Sequence, residues 1–175
     1  MAANNFITAL GRLLRDGALR DAFATQPNVV VEQLGLAAAE RAALLALVPA
    51  DLEFQARVLL RKRLDALRPV IPQTCRELGA QLWPRFLEYA RESWPDGDNR
   101  AARDAFGFCR FLEPRRPAAL CEAEWNRLQF ALAQRRFAIH RVRWQSRLGK
   151  IRPALQLLLR PAPNRWREWL IYVSA

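Results

Sequence analysis

Apolar residues recur at helical spacing through the first three quarters of the chain, then switch to strand-like alternation. Phe6, Ala9, Leu10, Leu13 and Leu14 fall three or four apart, which predicts a first helix over residues 4–15. Asp16 is placed to cap a short second helix over 17–24, carrying Leu19 and Phe23. Pro27 suits the first turn of a third, 28–34, ended by Gly35; residues 37–47 form helix readily and stop at Pro49. Asp51 is expected to cap the longest helix, 52–67. Phe54, Val58, Leu60, Leu64 and Leu67 run along one side, with Arg57, Arg61, Lys62 and Arg63 on a solvated side.

Pro69 and Pro72 break that helix, and Pro72 can open the next, 73–78, closed by Gly79. Trp83, Phe86, Leu87 and Tyr89 give a helix over 82–90 a large buried area. Residues 94–98 read as a turn, with Asp98 as cap for a helix over 99–113. Its apolar residues lie almost all round, which places it centrally. Pro114 and Pro117 end it, and a last helix is expected over 118–134.

Beyond residue 134 the period becomes two. Runs 136–144, 151–160 and 166–173 are rich in Val, Ile, Leu, Phe and Trp, and the breaks between them carry Gly, Pro, Ser and Asn: a three-stranded meander. Alternation puts Phe137, Ile139, Arg141 and Arg143 on one side of the first strand, and Ala138, His140, Val142 and Trp144 on the other. The second strand sets Leu155, Leu157 and Leu159 against Ala154, Gln156 and Leu158; the third sets Trp169, Ile171 and Val173 against Trp166, Glu168, Leu170 and Tyr172. The fold class is therefore α+β, a helical body over 1–134 followed by a C-terminal three-stranded antiparallel sheet over 135–175.

Charge sharpens this picture. Residues 135–175 hold ten Arg and Lys against one acid, net +9, whereas residues 1–134 hold eighteen against sixteen, net +2, of a total +11. Three cysteines without a CxxC pair, no signal peptide and no long apolar run predict a soluble, reduced, cytoplasmic chain. Residues 4–47 carry four acids and four arginines, a poor match to DNA.

Catalytic chemistry finds little to work with. His140 is the only histidine, and Cys75, Cys109 and Cys121 are far apart in sequence with poor metal-ligand spacing. Phosphate-cradling glycine loops and nucleophile elbows are absent from the sequence. The expectation is no catalytic residue, no cofactor and no metal in this chain, so binding is left. An exposed strand edge can accept an extended peptide, and the basic side chains around it favour an acidic one. The candidate peptide- or partner-binding residues are Arg141, Arg143, Trp144, Leu155, Leu157, Leu159, Trp166, Arg167, Trp169, Ile171 and Val173. The bland alternative is an edge merely protected by its arginines. The functional alternative is a winged-helix-like nucleic-acid module using the last helix and the basic sheet, although Glu122 and Glu124 stand where a recognition helix wants donors.

A resemblance bears on the choice. The runs Leu60-Arg61-Lys62-Arg63, Pro72-Gln73-Thr74, Leu78-Gly79, Trp83-Pro84-Arg85-Phe86, Tyr89-Ala90, Trp94-Pro95-Asp96-Gly97, Asp104-Ala105 and Phe108-Cys109-Arg110-Phe111-Leu112 resemble one family of small partner subunits. These accompany multinuclear non-haem iron oxidative enzymes in ribosomal peptide natural-product pathways, and are MbnC-like or TglI-like. The resemblance implies a non-catalytic subunit whose large partner holds the iron and oxidises a cysteine of a precursor peptide. It further implies that the leader of that peptide adds to the terminal sheet.

Overall fold

The computed structural model describes residues 5–115, 120–145, 151–162 and 165–172. Helices α1 (Phe6–Arg15), α2 (Gly17–Thr25), α3 (Pro27–Gln33), α4 (Ala38–Leu45), α5 (Pro49–Leu67), α6 (Pro72–Leu78), α7 (Leu82–Glu92), α8 (Arg100–Leu112) and α9 (Glu122–Leu132) precede three strands. These are β1 (Phe137–Gln145), β2 (Ile151–Ala162) and β3 (Arg165–Tyr172), an antiparallel sheet in the order β1-β2-β3. The α+β class follows, with the sheet at the C-terminal end. The compact units are Met1–Asp65 with Pro84–Trp94, and Ala66–Trp83 with Pro95–Ala175. The sheet shares its compact unit with α6, α8 and α9.

In the first unit, local capping chemistry sets the short helices. The Asn5 carboxamide oxygen accepts from Thr8 N at 2.9 Å, and the Asp16 carboxylate accepts from Leu19 N at 3.0 Å. Gly35 ends the third helix region with φ 63°, a conformation that costs a residue without Cβ little. Ala9, Leu13, Phe23, Val30, Val31, Leu34, Leu36, Leu44 and Leu52 then form one core.

Two details of α5 differ from the sequence reading. The helix starts at Pro49, so Asp51 lies inside the first turn rather than at the cap; proline lacks an N–H that would need a partner there. Phe54 is 64% exposed, because the buried stripe runs Leu52, Ala56, Leu60, Leu64 and Leu67. Phe54 stands two residues from Leu52, about half a turn round the helix. Arg63, expected on a solvated side, instead stacks over the Trp94 ring, 4.3 Å to the centroid, and donates from Nη2 to Ser93 O at 3.1 Å.

In the second unit, Asn99 rather than Asp98 occupies the cap of α8, in the left-handed region at φ 56°. Asp104, Ala105, Phe108, Cys109 and Leu112 of α8 are buried, and Phe106 stacks on Trp125 of α9 at 5.0 Å. Helix α9 begins at Glu122, later than the expected 118, with Cys121 at its cap; residues 118 and 119 lie outside the described set. Pro161 and Ala162, assigned from sequence to a break, belong to β2, which bulges between Leu159 and Ala162.

Candidate functional site

Alternation gives the sheet two unlike faces. Ala138, Val142, Ala154 and Leu158 are buried on the inner side, where small residues let α9 approach closely. Ala123 of α9 packs with Val142 and Ala154, and Phe130, two turns on, packs with Ala138 and Leu158. Between these apolar patches lies a polar seam. Gln156, 0% exposed, donates to Ala123 O and Glu168 Oε1, both at 2.7 Å, and accepts from Asn126 Nδ2 at 3.2 Å. Arg127 joins Glu168 Oε2 at 3.2 Å and also donates to Val70 O at 2.9 Å. A buried carboxamide with its bonds made fixes where the helix sits along the strands.

The outward face is its complement. Direct cross-strand partners set Phe137, Leu159 and Arg167 in one row, Ile139, Leu157 and Trp169 in the next, and Arg141, Leu155 and Ile171 in a third. Seven of these nine side chains are apolar, and all but the half-buried Leu157 are exposed. A lone exposed leucine is ordinary on a protein surface, whereas a contiguous apolar block on one sheet face marks an interaction site. Arg143 stands just beyond, 3.5 Å from Glu122.

The two edges differ as well. Arg160 N donates to Arg136 O, directly opposite, which fixes the phase of the ladder. Ala138, His140, Val142 and Trp144 therefore bond to β2, while the odd-numbered residues of β1 turn their backbone groups outward. One of those, Arg143 N, is occupied by Glu122 Oε2 at 3.0 Å. Pro153 sits opposite Arg143 in a pair without ladder bonds, so its missing N–H disturbs nothing between β1 and β2. The same alternation carried across β2 aims the N–H and C=O of Glu168, Leu170 and Tyr172 away from the sheet. Among the described residues no backbone or side-chain group bonds to them there.

Of the sequence-predicted site residues, Arg141, Leu155, Leu157, Leu159, Arg167, Trp169 and Ile171 come together on the outward face. Trp144 does not: it lies on the inner side, packed against the Ala123, Val142 and Ala154 cluster. Trp166 is exposed near the β2 bulge, and Val173 falls outside the described residues. The sequence reading missed Gln156, Asn126 and Arg127, whose roles depend on packing between distant segments. A glutamine inside an otherwise apolar alternation was the available signal.

The cysteines, distant in sequence, converge. Cys75 of α6, Cys109 of α8 and Cys121 are free thiols within electrostatic reach of Glu124. The Glu124 carboxylate is buried and accepts from Gln73 N at 2.6 Å and Thr74 N at 2.9 Å, tying α9 to the start of α6. Cys121 Sγ donates to Gln73 Oε1 at 2.9 Å. Burial, followed by the Glu124 charge, pushes the Cys75 and Cys121 thiols up to about 11, and pushes Cys109 up too. Among the described residues no three His, Cys, Asp or Glu side chains form a metal-holding group, and no helix is long and apolar enough to cross a membrane. Glu122, Glu124, Asn126 and Arg127 of α9 are all engaged inside this unit, which leaves a recognition helix few polar groups for nucleic acid.

A family model, the SCO6045-like, C-terminal domain, matches residues 38–114, from α4 through α8. The chain is similar to that domain over this stretch, which ends before α9 and the sheet. No curated protein and no solved structure matches the chain.

Proposed function

We propose that this chain is a non-catalytic partner subunit. It binds a multinuclear non-haem iron oxidative enzyme and presents to it the leader of a cysteine-containing ribosomal precursor peptide. The iron and the oxidation belong to the enzyme. What carries the reading is the outer edge of β3, where Glu168, Leu170 and Tyr172 offer backbone groups to an added strand. The opposite edge is interrupted by the Glu122 bond to Arg143 N, so β3 is the better template. Exposed Arg165 and Arg167 beside it favour an acidic leader and hasten its capture. The resemblance of residues 50–112 to such partner subunits supports the same role.

Genes for a large iron oxidase and a short cysteine-bearing peptide are expected beside this one. Co-expression of the three should give a stable complex and a modified peptide, detected by mass spectrometry. Equal modification by the oxidase without this chain would remove the delivery role.

A further inference from the structure

The nine-residue grid on the outward face has a feature that the edge does not explain. Its arginines, Arg141 and Arg167, occupy opposite corners, with the apolar block running between them. No acid lies on this face among the described residues, and no carboxylate there pairs with either arginine. A strand added to β3 extends the sheet in its own plane and leaves the face uncovered, because side chains stand perpendicular to that plane. A second copy of the chain would set its own arginines over the same basic face, which like-charge repulsion opposes.

We propose that this face seats the oxidative enzyme, through a folded surface with an apolar centre and carboxylates at two opposed margins. We further infer that it works independently of the β3 edge, so that enzyme and leader are held together rather than in competition. This rests on the partner-subunit reading above and deepens it by giving each partner its own surface. Ile139, 54% exposed at one end of the middle row, accepts a charge without burying it in this chain.

The test uses the full chain, the adjacent-gene oxidase and a labelled synthetic leader, with affinities from calorimetry and fluorescence anisotropy. Ile139→Glu should weaken oxidase binding on the order of a hundredfold and leave leader affinity within about twofold. Tyr172→Pro should do the reverse. Arg141→Glu, on β1 and so away from the β3 edge, serves as a second face variant and should flatten the salt dependence of oxidase binding. Circular dichroism establishes that each variant is folded. Wild-type oxidase affinity in both face variants would overturn the inference and leave the partner role standing. Equal loss of both ligands in a folded face variant would overturn the separation of surfaces. A wild-type dimer in light scattering that Ile139→Glu converts to monomer would assign the face to a second copy instead. If the wild-type chain bound no oxidase at all, the partner role itself would fall, and this inference with it.

Discussion

Gln156 Nε2 donates to Glu168 Oε1 at 2.7 Å across adjacent strands, in the seam between the sheet and α9. Replacing Gln156 with leucine keeps the volume but strands Glu168 Oε1 and Asn126 Nδ2, while Ala123 O keeps its bond within the helix. The expected loss is about 1–3 kcal/mol for the buried groups left unmet. Urea unfolding should show a lower midpoint with little change in slope. A variant as stable as wild type would mean the seam adds nothing to docking of α9.

Proline distinguishes the two kinds of backbone group in β3. The N–H of Ile171 faces Leu155 in a bonded pair, so Ile171→Pro should break the sheet's own ladder, at about 1–3 kcal/mol for the carbonyl left unmet. The N–H of Tyr172 points outward, so Tyr172→Pro should retain the fold and lose leader affinity, read by thermal melting beside anisotropy. Equal leader affinity for wild type and Tyr172→Pro would exclude this edge as the binding site.

The thiols predict an alkaline limit. Cys75 and Cys121 titrate near 11 in the folded chain, against 9.0 for a solvated thiol, with burial the larger cause and Glu124 the second. Below pH 9 folded and unfolded thiols are both protonated, and this contribution is fully present. Above it the unfolded chain releases protons first, so stability falls between about pH 9 and 11 and then levels. Glu124→Gln should lower both titrations. Iodoacetamide reactivity against pH measures them, and a native reactivity midpoint at the solvated value would contradict the burial.

Trp94 and Arg63 make the last testable pair. The guanidinium lies 4.3 Å from the Trp94 centroid and 5.4 Å from that of Phe86. Trp94→Leu should cost about 1–2 kcal/mol beyond its lost area, seen as a lower denaturant midpoint. Arg63→Lys should recover part of the contact and Arg63→Met less; equal losses would point to packing rather than charge.

The helical periodicity, the Asp16 cap and the two-residue alternation of the strands are local properties, and each was readable as such; the Asn5 cap was not, since residues 4 and 5 were expected inside the first helix. Alternation also sorted the outward face correctly, because a side chain's side of a strand follows from its parity alone. The sequence could not say which face was inner. That was decided by α9, whose Ala123 and Phe130 meet the small residues Ala138, Val142 and Ala154. The same contact set Trp144, half-buried, against the Ala123, Val142 and Ala154 cluster. The place of Arg63 over Trp94, the gathering of three thiols around Glu124 and the assignment of outward-pointing amides to Glu168, Leu170 and Tyr172 likewise came only from the tertiary structure. Each joins residues separated by many positions, or depends on ladder phase, and neither local propensity nor spacing encodes those. Sequence by itself thus determined the elements and their two-sidedness; chain packing decided which side of the sheet α9 covers and, through the ladder phase, which backbone groups point outward.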